Sequence, residues 1–236
     1  MGEDRPRRQA QGAVLKGLYG RRKGKKLRDH HASLMAELLP RLAVDVTRGA
    51  LDPVALFSGA ASALHLEIGF GGGERLIARA AAAREAGFIG CEPFVNGMAK
   101  ALAGAEEHEL TNLRLHNGDA RDLLRTLPDA CLDSAELLYP DPWPKRRQKK
   151  RRIVSDAFIA ELARVLKPGA PWRFASDIDD YVGWTLAHVA RSRDFVWRAE
   201  CPADFLDAYP DWAPTRYEEK ARREGRTSAY LTFVRT

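Results

Sequence analysis

Five short apolar runs in this chain each give way to an acid: Glu67, Glu92, Asp119, Asp141 and Asp177. Between them the apolar residues recur at helical spacing, so strand and helix alternate at intervals of roughly 20 to 30 residues. That alternation calls for right-handed crossovers and a mostly parallel α/β sheet with helices on both faces. Strands are expected over residues 63–68, 87–91, 112–116, 132–139 and 170–176, with two more over 195–200 and 228–234. In such a sheet the C-terminal strand ends share one edge, where ligands bind. Any one of these acids would ordinarily be a helix cap or a solvated loop carboxylate. Five at one edge point to a binding site.

The first run leads into Gly69-Phe70-Gly71-Gly72-Gly73 and then into an alanine-rich helix over 74–86. Glycines at alternate positions let the backbone pass close to a ligand and leave helix amides facing it. A phosphate-gripping loop needs Lys and then Ser or Thr after its last glycine, and Glu74-Arg75-Leu76 stands there instead. A nicotinamide turn would meet Glu74 at its sixth position, and Glu67 also repels phosphate. A ligand that is positively charged and carries no phosphate fits these acids better. S-adenosylmethionine is such a ligand, with Glu92 placed for the ribose hydroxyls and Asp119 for the adenine amine.

The fourth run ends in Tyr139-Pro-Asp141-Pro-Trp143-Pro144. Three prolines keep Tyr139, Asp141 and Trp143 out of the right-handed helical region, so a stiff, extended turn should pin Asp141. Every residue from 145 to 152 except Gln148 is then Lys or Arg. A charge run alone is more often a solvated face than a binding site. An aromatic and a pinned acid beside it shift the balance toward nucleic acid. A helix follows over 153–166, with Val154, Phe158, Leu162 and Val165 on one face, and another is expected over 29–42. Trp172 and Trp197, inside strands, read as core, whereas Trp143 and Trp212 are open to either packing or stacking.

Residues 1–28 are rich in Arg, Lys, Gly and Gln and poor in large apolar side chains, which describes a flexible basic tail ahead of a single domain over 29–236. The net charge of +6 gathers in this segment and in the 145–152 run, so an anionic partner is favoured. Cys91, Cys131 and Cys201 stand apart with no metal-ligand spacing, so reduced thiols, a cytoplasmic location and no metal are expected. No apolar run is long enough to cross a membrane and no secretory h-region follows the start. No obligate protein partner is evident, and both monomer and homodimer are open.

Taken together, Glu67-Ile-Gly-Phe-Gly-Gly-Gly, Asn117-Gly-Asp119-Ala, Pro140-Asp-Pro-Trp with Lys145 and Lys150-Arg-Arg152, Ser176-Asp177 and Thr215-Arg-Tyr-Glu218 resemble the motifs of bacterial tRNA (guanine-N7)-methyltransferases, in the same order. The resemblance runs from about residue 19 to the C-terminus. It implies a class I, Rossmann-like fold with a seven-stranded, mostly parallel sheet, S-adenosylmethionine as cofactor, and methylation of guanine N7 in the variable loop of tRNA. Carried over by position, Glu67, Gly69, Gly71, Gly73, Glu92, Asp119 and Asp141 are the cofactor-binding set, with Asp141 also the catalytic position. Lys145, Asp177, Thr215, Arg216, Tyr217 and Glu218 form the substrate-binding set. Arg147, Gln148, Lys149, Lys150, Arg151 and Arg152 form the RNA-contacting segment. Gln148 stands where the family often has His, which removes one cation.

Guanine N7 carries a lone pair and no proton, so the reaction needs no general base. Asp177 and Glu218 are the candidates for reading the guanine edge, and Trp143, Tyr217 or Trp212 for stacking on the base. Competing readings are a methyltransferase acting on another RNA or a protein, an RNA-binding protein with an inactive cofactor site, and a nicotinamide oxidoreductase.

Overall fold

The computed structural model describes residues 19–47, 49–57, 61–212 and 215–236, and of residue 54 only the backbone. Seven strands, β1 Leu64–Ile68, β2 Gly87–Cys91, β3 Leu113–His116, β4 Ser134–Leu138, β5 Pro171–Ser176, β6 Phe195–Trp197 and β7 Ala229–Arg235, form one sheet in the order β3-β2-β1-β4-β5-β7-β6. β1 to β5 are parallel, and β7 lies antiparallel between β5 and β6. The order reverses at β1 and β4, so the loops leaving these two strands diverge and open a crevice at the sheet edge.

Every residue of β2 and β4 is buried, as expected of strands covered on both faces. On one face Leu76, Ile77, Met98 and Leu102, from helices Glu74–Ala82 and Val95–Glu107, pack on Phe88, Leu113 and Leu115. On the other, helices Ala120–Thr126, Asp156–Val165 and Asp179–Arg191 bring Leu123, Phe158, Leu162 and Tyr181 against Leu66, Leu137 and Phe174. Trp172 of β5 is fully buried and meets the rings of Phe158, Phe174, Phe195 and Phe233 at centroid distances between 4.9 and 6.4 Å. Such pairs add about 0.5–1.5 kcal/mol each beyond their buried area. Trp197, expected in the core, instead lies partly exposed on the edge strand β6 against Phe205.

Three expectations change. The helix over 29–42 is split into Asp29–Glu37 and Leu39–Leu42, because Pro40 has no N–H to continue the ladder. The helix after the basic run starts at Asp156, where Ser155 caps it by accepting a hydrogen bond from Phe158 N. Of the tail expected to be free over 1–28, residues 1–18 lie outside the described residues, and 19–28 are held against the domain. Val95 N donates to Arg22 O at 3.0 Å. Asn96 takes Gly24 N at 2.7 Å and gives its amide to Lys25 O at 2.8 Å. Asn96 thus completes two backbone hydrogen bonds that no strand partner supplies.

Candidate active site

Gly69, Gly71 and Gly73 all have left-handed φ, of 74°, 61° and 80°, a path that side-chain-bearing residues resist. The turn they make lies flat against the start of helix Val95–Glu107: a Cβ on Gly97 would fall 2.1 Å from Gly71 O. Glu92, just past β2, locks the turn by accepting from Gly71 N and Phe94 N, both at 2.8 Å. Each of its oxygens keeps a second lone pair for a ligand. Burial raises its pKa, partly offset by those two donors.

Beyond β4 the proline-rich turn is not uniformly extended. Tyr139 and Trp143, each preceding a proline, have φ of 48° and 42°. Left-handed backbone at bulky residues is strained and gathers at functional sites. Tyr139 is fixed by its amide to Ala175 O at 2.8 Å and its hydroxyl to Ser228 Oγ at 2.9 Å. Asp141, between the two strained residues, is exposed at the cavity mouth, and partial desolvation by the surrounding walls raises its pKa. The backbone of Gly20 passes so near that a Cβ there would come within 3.1 Å of Asp141 Oδ2.

Glu92, Asp119 and Asp141 converge on a cavity of about 410 Å³, which Tyr19, Gly20, Arg21, Gly69, Gly71, Trp143 and Tyr217 help to enclose. Asp119 is a helix cap as well as a cavity residue. It accepts from Arg121 N at 3.0 Å and holds the Arg121 guanidinium at 2.5 Å, which keeps its pKa low against the effect of burial. A second cavity of about 140 Å³ continues beneath the glycine turn, with Glu67, Thr215, Arg216 and Tyr217 in its walls. Glu67 is buried, and its Oε2 meets no donor among the described residues.

The remaining expected residues divide. Tyr217, exposed and stacked 6.4 Å from Tyr139 at 15°, overlooks both cavities. Thr215 caps helix Arg216–Arg223 by accepting from Glu218 N. Asp177 and Glu218, expected to read the guanine edge, line neither cavity. Asp177 is taken by Arg226 at 2.7 Å, and Glu218 by Trp212 Nε1 at 2.6 Å and Arg222 at 3.3 Å. Trp212, half-buried, is thereby packed among Tyr139, Tyr209 and Tyr230 with Arg75 over its ring at 5.0 Å, and it lines neither cavity.

The basic run forms a 3-10 turn over Arg146–Arg151. Lys145, Arg146, Arg147 and Lys150 are exposed, and Gln148 is half-buried. Lys149 reaches Asp180 at 2.5 Å. Arg151 lies between the rings of Tyr19 and Trp143, at 5.1 and 4.9 Å, as part of the cavity wall. Arg152, expected to contact RNA, is buried: it donates to Pro142 O at 2.8 Å, pairs with Asp180, and packs over Tyr181 and Trp184. It anchors the turn from below and cannot meet a phosphate.

Sequence reasoning missed Tyr19, Gly20, Arg21 and Asn96. An aromatic in an otherwise basic segment was the available sign. It also missed Glu136, although a charge inside the apolar run Ser134–Leu138 marks a buried ion pair. Glu136 is held by Arg75, Arg79 and Arg173 at 2.9, 3.2 and 3.4 Å.

A family model described as "Putative methyltransferase" matches residues 61–231. Proteins named tRNA (guanine-N(7)-)-methyltransferase are similar over almost the whole chain. That of Nitrobacter winogradskyi is 56% identical over 92% of this chain and 85% of its own. That of Brucella melitensis is 54% identical over 92% and 94%. The chain belongs to the tRNA (guanine-N(7)-)-methyltransferase family. Among solved structures, the 16S rRNA methyltransferase KamB superposes with a TM-score of 0.53 at 16% identity, over 82% of this chain and 98% of that one, a likeness of fold.

The methyl donor of such an enzyme, S-adenosylmethionine, fits the residues present. The larger cavity pairs Glu92 with the close-approach glycines, and the smaller one ends in an unpartnered buried carboxyl facing where a cationic end would lie. Among the described residues no cluster of His, Cys, Asp and Glu could hold a metal ion, and no helix is long and apolar enough to cross a membrane.

Proposed function

We propose that this chain methylates N7 of a guanine in the variable loop of tRNA, with S-adenosylmethionine as donor. One observation carries the reading. The acid-lined cavity opens beside Asp141, on a strained turn whose continuation presents the exposed cations Lys145, Arg146, Arg147 and Lys150. The donor supplies an electrophilic methyl on a sulfonium. The task of the chain is placement, since N7 needs no proton removed. Holding N7 in line with that methyl can lower the barrier by about 7 kcal/mol or more.

Glu92 and the turn Gly69, Gly71 and Gly73 hold the nucleoside part of the donor, with Asp119 at its base, and Glu67 faces the ammonium. The Asp141 carboxylate favours the positive charge that develops on the purine. N7 lies on the groove edge that folded RNA buries, so the base is splayed out and stacks on Tyr217 or Trp143. Lys145, Arg147, Lys150 and Arg216 neutralise backbone phosphates. Asp177, Glu218 and Thr215 act at one remove, through Arg226, Trp212 and the helix that carries Tyr217. A protein acting on tRNA in this way works in the cytoplasm, and nothing in the reaction requires more than one copy.

Incubation with labelled S-adenosylmethionine and bulk tRNA, followed by borohydride and aniline cleavage, should place 7-methylguanosine in the variable loop. Label on another base, or none on tRNA, would overturn the assignment.

A further inference from the structure

Two glutamates face each other where the strand order reverses: Glu67 of β1 and Glu136 of β4 are direct partners in the parallel register. They are treated very differently. Helix Glu74–Ala82 contributes Arg75 and Arg79, β5 contributes Arg173, and all three are spent on Glu136. Asp211, from the connection before helix Arg216–Arg223, takes the other sides of Arg75 and Arg173 at 3.2 and 2.8 Å. Among the described residues Glu67 receives no such donor, and its Oε2 is buried without a partner there, in the wall of the smaller cavity. Around it stand the charged Glu136, Arg75, Arg79 and Glu74, with Arg216 and Tyr217 across the cavity.

A buried carboxylate without donors is costly, and a second carboxylate opposite makes it costlier, so the group stays neutral. We propose that Glu67 carries a proton in the free protein and releases it to solvent when the ammonium group of the methyl donor enters, so that binding exchanges one cation for another. The proposal rests on reading the cavities as the donor site. Burial, and then the Glu136 charge, push the Glu67 carboxyl up to about 8, which Arg75 and Arg79 only partly offset. At neutral pH the exchange is therefore near complete. It also makes Glu67 a specificity residue: a neutral carboxyl does not attract anions, and its proton leaves only for a cation. An adenosine thioether without the amino-acid end would bind without this exchange.

Calorimetric titration with S-adenosylhomocysteine, which carries the same ammonium and cannot react, tests this at pH 7 in phosphate and in imidazole, buffers of different ionisation enthalpy. The wild-type protein should release close to one proton more with S-adenosylhomocysteine than with 5′-methylthioadenosine. Glu67→Gln should abolish that difference, while any release from Glu92 or Asp141 persists. Should the variant not fold, the wild type alone decides: between pH 6 and 7 its affinity for S-adenosylhomocysteine should rise about tenfold, with that for 5′-methylthioadenosine nearly flat. Equal release with both ligands, or release undiminished in Glu67→Gln, would overturn the proposal and leave the donor site standing. Failure of S-adenosylhomocysteine to bind at all would remove the donor site, and the exchange with it.

Discussion

Replacing Arg152 by methionine separates anchoring from RNA contact within the basic run. The variant keeps most of the aliphatic stem and loses the charge. It forfeits the hydrogen bond to the Pro142 carbonyl, a charge-assisted one of about 1.5–3 kcal/mol, and the packing of a cation on Tyr181 and Trp184, about 0.5–2 kcal/mol at a desolvated site. The pairing with Asp180 is left out of the sum, because that carboxylate is solvent-exposed. A loss of about 3 kcal/mol in a urea unfolding curve is the expected outcome. Binding of tRNA, measured where the protein is fully folded, should keep its wild-type dependence on salt. Lys150→Met should behave in the opposite way, with unchanged unfolding and a slope of log affinity against log salt shallower by about 1. Wild-type unfolding of Arg152→Met together with a reduced salt slope would refute the anchoring role.

Asp141→Ala should abolish methyl transfer with tRNA affinity within about twofold of wild type, checked by label incorporation and filter binding, because the nearby exposed cations are untouched. Glu136→Ala should cost about 3–5 kcal/mol in urea unfolding, since it strands buried Arg75 beside Arg79 and Arg173. The two facing glutamates give opposite pH trends. Glu136 is held below its ordinary value by its arginines, so its contribution is present above that value and lost as pH falls through its folded pKa. Glu67 is raised to about 8, so stability declines as pH climbs from its ordinary value near 4.5 toward 8, and thermal unfolding of Glu67→Gln should lose that decline. Asn96→Ala removes both hydrogen bonds to residues 24 and 25, so trypsin should cut between residues 21 and 26 several times faster and affinity for S-adenosylhomocysteine should fall.

The strand ends and the acids at them were legible because period and spacing are local properties of the chain. Glu92 and Asp141 stand on the cavity where that pattern puts them. Charge in a run is not local in the same way. A 3-10 turn has about three residues per turn, which brings Lys149 and Arg152 to one side, and both close on Asp180, a residue far along the chain. Nothing in the run marks these two as different from Lys150. Asp177 and Glu218 were read as free for substrate because their partners, Arg226 and Trp212, are fixed by how the last helix packs. The docking of residues 19–28 depends on Asn96, some seventy positions away, and on no periodicity. Composition called that stretch a tail because it lacks apolar residues, and hydrogen bonds to a helix start did what burial could not.

The antiparallel strand β7, the last in sequence, is inserted between β5 and β6 and brings Phe233 to Trp172. The sheet therefore cannot be completed in the order in which the chain is made. While β7 is still being synthesised, β5 keeps an unpaired edge, β6 has no neighbour and the aromatic core has an open side. Closure of the molecule waits on β7, and a chain cut short before Ala229 would be left with an adhesive β5 edge and an unpaired β6, which invite a second molecule to supply what is missing.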